Sequence, residues 1–300
     1  MTDASPTPPS PLDSSSARPA TADALLRASP LPPLEARILL THVLGWRRTQ
    51  LITRGEEPLE RASVERYRVL EARRVAGEPV AQLVGAREFF GLEFEVTPHV
   101  LIPRPETELL VETALAAIEN RPRPQVLDLG TGTGAIAIAI ASMRPDARVW
   151  ALDRSADALA VAARNGTRLL DATRPGGAVT FVQSDWYDSL DAAPRFDAII
   201  SNPPYIASGD PHLREGDLRF EPRGALTDEA DGLSAIRAIV AGAPGRLVAG
   251  GALWIEHGYD QAEAVRALLD ARGFAQVRSA RDLAGIERIS GGRWLGAAAA

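Results

Sequence analysis

Ser201-Asn202-Pro203-Pro204-Tyr205 is the stretch of this chain whose residue types carry the most specific chemistry. An amide nitrogen is a poor nucleophile because its lone pair is delocalised into the carbonyl. A site that grips the NH2 group with two acceptors restrains its geometry and favours attack. The side-chain oxygen of Asn202 and the backbone carbonyl of Pro203 are such acceptors. Proline has no N–H, so the segment is rigid and leaves the ladder of any sheet. Tyr205 offers a flat face to a planar group. A lone N-P-P also reads as a plain turn ending a strand, so its weight depends on the residues upstream.

Those residues are Asp128-Leu129-Gly130-Thr131-Gly132-Thr133-Gly134, and Asn202 follows Gly134 by 68 residues, a separation that suits the first and fourth strands of one α/β sheet. Glycines permit positive φ and let backbone approach a ligand closely. The spacing is G-x-G-x-G and not the dinucleotide pattern G-x-G-x-x-G. Asp153 stands 19 residues beyond Gly134, where an acidic side chain at a strand end can hold the two ribose hydroxyls of a nucleoside. The alternative is a glycine turn that only packs strand against helix. With Asp128 before it and Asp153 after it, the loop reads as a nucleoside-cofactor site, for which NAD and S-adenosylmethionine both qualify. Further on, Asp185 can accept from an adenine amino group and Trp186 can flank the ring, or Trp186 is simply a core aromatic. The amino-gripping turn at Asn202 settles the cofactor as S-adenosylmethionine.

The elements around these motifs follow from periodicity. Residues 21–77 read as helices: Thr21 caps the first, Pro33 opens the second and Gly45 stops it, and residues 59–75 put Val64, Tyr67 and Leu70 on one side with arginines opposite. Phe89 to Val96 alternates around Gly91 and reads as a hairpin. Pro103 and Pro105 force an extended segment before a helix through Leu109, Leu110, Thr113 and Ile118. From Gln125, strands at 126–129, 149–152, 179–182, 196–201 and 252–255 alternate with helices, and 275–278 and 286–289 close as an antiparallel pair. That order implies a doubly wound, mostly parallel α/β sheet. The expected division is a disordered tail over 1–20, a helical substrate-recognition domain over 21–85, a hairpin connector over 86–104, the cofactor-binding domain over 105–293 and a frayed end over 294–300.

Composition removes several classes of function. The formal net charge is −6, which argues against affinity built on phosphate neutralisation, so no direct nucleic-acid partner is expected. With no cysteine there is no disulfide, thiolate zinc site or cysteine nucleophile. Every basic residue is arginine, which removes the P-loop lysine and Schiff-base chemistry. His42, His99, His212 and His257 are scattered without an H-x-x-x-H pair, so no metal is expected. His212 and His257 are read as structural rather than as bases. The start of the chain lacks a basic, then apolar, signal pattern, and no apolar run reaches the ~18 residues of a membrane span. A cytoplasmic protein is expected.

Beyond these readings the chain resembles the HemK/PrmC family of glutamine methyltransferases. The resemblance runs from about residue 20 to 293 and rests on Glu78-Pro79, Phe89–Val96, the LIPRPETE stretch Leu101–Glu108, Val126–Gly134, Gln183–Trp186, Ser201–Ile206, Asp210-Pro211-His212, Arg219-Phe220-Glu221-Pro222 and Asp282-Leu283-Ala284-Gly285. N-P-P-Y by itself is shared with adenine N6 methyltransferases; LIPRPETE and R-F-E-P are far more specific to the glutamine enzymes. Gln82 departs from the pattern, which has an aromatic residue or His before Leu83-Val84-Gly85. The resemblance implies a seven-stranded class I methyltransferase domain behind a small helical bundle, joined by the hairpin. It assigns Gly130, Thr131, Gly132, Thr133, Gly134, Asp153, Asp185, Trp186 and Asn202 to S-adenosylmethionine, and Asn202, Pro203, Pro204 and Tyr205 to the amide, with Asn202, Pro203 and Tyr205 as catalytic residues. Its implied substrate is the glutamine of the Gly-Gly-Gln loop in peptide-chain release factors. The alternatives are the same chemistry on a large-subunit ribosomal protein, and adenine N6 methylation of nucleic acid. Arg104, Glu106 and Glu108 are expected to hold the connector against the cofactor site.

Overall fold

The computed structural model describes residues 20–296, so the expected tail and frayed end lie, but for Ala20 and 294–296, outside the described residues. The chain divides into two compact units, the first ending at Val84 and the second beginning at Gly85.

The first unit is helical: α1 (Ala22–Ala28), α2 (Pro33–Leu44), α3 (Arg48–Thr53), α4 (Arg61–Val75) and α5 (Val80–Val84). Thr21 caps α1 by accepting from the Ala24 amide, and Gly45 ends α2 in the left-handed region at φ 64°, as their residue types dictate. Leu25, Leu39, Leu40, Leu51, Tyr67 and Leu83 form its core. The short α5 has no sequence signature strong enough to single it out.

The second unit opens with the hairpin β1 (Ala86–Phe89) and β2 (Leu92–Glu95), turning at Phe90-Gly91. A single 3-10 turn (Pro105–Thr107) then leads into α6 (Glu108–Ala117), so the prolines start the helix one turn later than a simple α-helical start would have it. The sheet strands are β3 (Gln125–Leu129), β4 (Arg148–Asp153), β5 (Thr180–Gln183), β6 (Phe196–Ser201), β7 (Leu247–Glu256), β8 (Ala275–Arg281) and β9 (Glu287–Trp294). The helices between them are α7 (Ala135–Met143), α8 (Ala156–Leu169), α9 (Arg223–Leu226), α10 (Ser234–Arg246) and α11 (Ala262–Arg272). The seven strands lie in the order β5-β4-β3-β6-β7-β9-β8, and β9 alone runs against the direction of the other six.

Two cores flank this sheet. One joins α6 and α7 to Phe89 and Phe94 of the hairpin; the other joins α10 and α11 to Leu127, Leu129, Ile199 and Leu253. The alternating apolar residues of each strand feed both, as a sheet covered on two faces requires. The strand order reverses between β3 and β6, and a doubly wound sheet opens its ligand crevice beyond the carboxyl ends at that switch point.

Candidate active site

Register sets the site. Ser201 at the end of β6 is level with Leu129 of β3 on one side and Ile255 of β7 on the other, so Asn202 leaves the sheet between Gly130 and Glu256. The Ser201 hydroxyl donates to the Leu129 carbonyl at 2.7 Å and locks this alignment. The Asn202 Nδ2 group donates to Thr107 Oγ1 at 3.1 Å, which leaves its carbonyl oxygen as the acceptor open to a ligand.

A concave cleft lies over these strand ends. Gly130, Gly132, Asp153, Asp185, Trp186, Asn202 and Pro204 all line it. The glycine loop is pinned by the Gly130 and Thr131 amides, which both donate to the Leu152 carbonyl at 2.8 Å. All three glycines have positive φ, but their surroundings differ. A Cβ on Gly132 meets no protein atom within 4 Å, whereas one on Gly134 meets Ile138 Cδ1 at 2.8 Å and Ala162 Cβ at 3.2 Å. Gly132 therefore faces the cleft, and Gly134 is the glycine that packs strand against helix.

Thr131 and Thr133 are buried and build the loop from behind. The Thr131 hydroxyl donates to Asp128 Oδ2 at 2.6 Å, and the Thr133 carbonyl accepts from Asn165 Nδ2 at 3.0 Å. Asn165 is fully buried and also pairs with Glu95 of the hairpin through both backbone groups, so one side chain ties β2 to the glycine loop. Asp128 has no exposed surface, and burial pushes its carboxyl up to about 7 against the Thr131 hydroxyl and the Ala137 amide.

Asp153 ends β4 with Oδ2 accepting from the Gly132 amide and Oδ1 from the Ser155 amide, each at 2.9 Å. Burial raises its pKa in spite of these two donors. Each carboxylate oxygen keeps a lone pair for a further donor. Trp186 is held at φ 46°, its carbonyl accepting from the Ser184 hydroxyl at 3.0 Å.

The wall of the cleft comes from segments distant in sequence. Glu221 is buried, accepts from the Ile102 amide at 3.0 Å and is bridged by Arg104. This joins the LIPRPETE stretch to the R-F-E-P stretch and brings Pro222, Gly224 and Ala225 to the cleft beside Val100 and Leu101. Of the two acidic residues in LIPRPETE, Glu108 accepts from the Phe90 amide at 2.8 Å and braces the hairpin turn, while Glu106 is exposed.

Pro203 and Tyr205 lie outside the cleft lining; Pro203 is buried, and the Tyr205 hydroxyl reaches Glu256 Oε1 at 3.3 Å. His257 is buried against Ser290 Oγ at 2.7 Å, and exposed His212 pairs with Asp210 at 2.7 Å; neither lines the cleft. Thr107, Asn165, Glu221 and Glu256 support the site without having been singled out by type or spacing. The signal for Glu256 is its place as the first polar residue after the buried apolar run of β7, the position that Asp153 occupies in β4.

S-adenosylmethionine fits these residues: open space beside Gly132 for a closely approaching ligand, a strand-end carboxylate with free lone pairs, an indole, and an apolar lining from Leu101, Leu129, Leu152 and Ala158. Among the described residues no cluster of His, Cys, Asp or Glu suits a metal ion, and no helix is long and apolar enough to cross a membrane.

Comparison with known proteins identifies relatives of the chain. Residues 20–85 match the model of the PrmC N-terminal domain, and residues 105–215 that of the methyltransferase small domain. The chain is 68% identical to the release factor glutamine methyltransferase of Burkholderia pseudomallei over 93% of this chain and 98% of that protein. It is 58% identical to that of Bordetella pertussis over 89% and 97%, respectively. A solved methyltransferase from Pyrococcus furiosus superposes with a TM-score of 0.50 at 20% identity, covering 75% of this chain and 98% of that one, a likeness of fold.

Proposed function

The chain belongs to the release factor glutamine methyltransferases, and we propose that its Asn202–Tyr205 turn holds the side-chain amide of a release-factor glutamine for N5 methylation. It is an S-adenosylmethionine-dependent methyltransferase. The acceptor proposed is the glutamine of the Gly-Gly-Gln loop, a protein side chain and not a nucleic acid, with residues 21–85 as the substrate-recognition domain.

The observation that carries the residue assignment is the hydrogen bond from Asn202 Nδ2 to Thr107 Oγ1. By occupying the donor end of the Asn202 amide, it presents the acceptor end to the incoming NH2. The Pro203 carbonyl supplies the second acceptor, and Pro203 and Pro204 hold the backbone stiff between them. Asp153, Gly130, Gly132, Asp185 and Trp186 hold the cofactor, which supplies an electrophilic methyl group when bound. The chain's own contribution to rate is orientation: the nitrogen is fixed with its lone pair toward the cleft, and fixed acceptors replace water around its protons. The product nitrogen loses its proton to water, since His212 and His257 are both held elsewhere.

The test is methyl transfer to a purified release factor, a large-subunit ribosomal protein and a DNA duplex, mapped by mass spectrometry. A single methyl on the release-factor loop glutamine is expected. Asn202→Ala is expected to lower turnover by at least ~100-fold with the fold intact. Transfer to the ribosomal protein or to DNA alone would overturn the acceptor assignment.

A further inference from the structure

The Asp282-Leu283-Ala284-Gly285 turn between β8 and β9 plays no part in the proposed chemistry, and neither does the turn at 258–261 after β7. We infer that the exposed tips of these two turns, Leu283 and Tyr259, form a docking surface for apolar side chains of the release factor beside its acceptor glutamine. The inference rests on the function proposed above and names where that partner is held outside the cleft.

Both tips project from turns that are fixed by hydrogen bonds. Asp282 Oδ1 accepts from the Ala284 and Ile286 amides, and Oδ2 from Arg288 Nε, each at 2.9 Å. The Gly285 amide closes the turn on the Asp282 carbonyl at 2.9 Å, with Gly285 at φ 80°. An aspartate in first place and a glycine in fourth are what such a turn asks for; nothing in it asks for a leucine. Leu283 nonetheless stands there fully exposed. In the other turn the Gly258 amide donates to Gln261 Oε1 at 2.8 Å, and Gln261 Nε2 donates to the Tyr205 carbonyl at 3.0 Å. The turn that carries Tyr259, itself 71% exposed, is thereby tied to the amide-holding turn. The His257 amide donates to the Arg288 carbonyl at 2.9 Å, so Arg288 links the end of β7 to the Asp282 turn.

Position decides what such a surface can meet. β8 runs parallel to β7, so the turn that follows it emerges at the carboxyl edge of the sheet, where Asn202 leaves β6. β7 neighbours β6, and β9 and β8 lie two and three strands away. At the usual strand spacing the two turns start roughly 5 Å and 10–15 Å along that edge from the Asn202 turn. A free amide in the Asn202 turn reaches neither. A protein with its glutamine there covers the distance in about four extended residues. Apolar tips on fixed turns lose little freedom when a partner covers them, which favours their use as anchors. Two other large apolar residues are exposed in this unit, Met143 at the end of α7 and Leu295 after β9, and both lie at the opposite edge.

The experiment measures kcat and KM for purified release factor at saturating S-adenosylmethionine. It compares the unchanged chain with Leu283→Ser, Tyr259→Ser, the double variant, Leu283→Met and Met143→Ser. Each single serine variant at the carboxyl edge is expected to raise KM about 3- to 30-fold, and the double variant at least ~20-fold, with kcat within about twofold. Their S-adenosylmethionine affinity by calorimetry should stay within about twofold and their Tm within about 2 °C, because neither side chain is buried. Leu283→Met, which keeps the apolar bulk, is expected to hold KM within about threefold. Met143→Ser, at the far edge, is expected to leave both constants unchanged. A double variant whose KM stays within about twofold of the unchanged chain overturns the inference. So does an equal rise in KM from Met143→Ser, or a loss confined to kcat. Absence of any transfer to the release factor by the unchanged chain overturns the function itself, so the two failures are distinct.

Discussion

Removing Arg104 should destabilise the protein more than neutralising its partner. The Glu221 side chain is fully buried, whereas Arg104 keeps 30% of its side chain exposed. Arg104→Ala leaves a carboxylate in the interior with only the Ile102 amide as donor. Breaking a buried pair in this way costs about 3–5 kcal/mol, reduced here to about 2–4 because the arginine is partly solvated. Glu221→Gln keeps an oxygen for the Ile102 amide and removes the charge, so it should cost only about 1 kcal/mol. The two variants must also differ in pH dependence. Burial already raises the Glu221 pKa with Arg104 present, and losing the cation raises it further. A carboxyl whose pKa is raised by folding favours the native state when protonated, and that advantage is lost as pH rises through the folded value. The cost of Arg104→Ala should therefore be at least ~1 kcal/mol larger at pH 8 than at pH 5, while that of Glu221→Gln, which removes the titrating group, should shrink over the same range. Urea unfolding of the three proteins at both pH values measures this. Equal costs at pH 8, or a cost for Arg104→Ala that grows in acid, would refute the reading of this pair as a buried charge held by a partly exposed one.

Gly132→Ala and Gly134→Ala separate ligand contact from packing: the first should cost about 1–2 kcal/mol for its positive φ and weaken S-adenosylmethionine binding at least tenfold by calorimetry. The second, driven into Ile138 and Ala162, should lower Tm by several degrees more than the first. Asp128 is pushed up to about 7, so the native state gains from its proton; thermal stability should rise as pH falls from 8 toward 5, and Asp128→Asn should remove roughly 1 kcal/mol per pH unit of that slope. Asn165→Ala loses its bonds to Glu95 and Thr133 and should destabilise by about 2–4 kcal/mol in denaturant titration, with cofactor affinity reduced through the displaced glycine loop.

What was legible in the sequence is what repeats locally. The parallel strands carry apolar runs, and a polar residue at or just past the end, Asp153 closing β4 and Asn202 following β6, is brought to the crevice. β7 extends five residues further back than its apolar run because Gly250 and Gly251 disguise it; the second lies in a register where a Cβ would meet the Val248 carbonyl at 2.9 Å. Gly134 reads like its two neighbours, and only the position of α8 reveals it as a packing glycine. Residues 206–233 have no periodicity at all. Within them Asp228 accepts from the amides of Ala230, Gly232 and Ser234. Glu221, 119 residues from Ile102, belongs to a contact that no local pattern encodes.

This division between local and distant determinants bears on specificity. The grip proposed for the N-P-P-Y turn suits amide and adenine amino groups alike, because both are planar NH2 donors of similar span. Gripping the NH2 therefore does not choose the substrate; the shape around the grip does. Here that shape is made by three pieces meeting over one strand end. Thr107 fixes the sense of the Asn202 amide. Glu221 and Arg104 carry Pro222–Ala225 to the rim. The parallel bridge from Ile206 to Thr227 returns the long excursion to its starting point. Each contact has one partner before β3 or beyond β6, outside the cofactor half of the sheet. On the proposed assignment, a change in acceptor can arise in these walls while Asp153, Gly132 and Asn202 stay as they are.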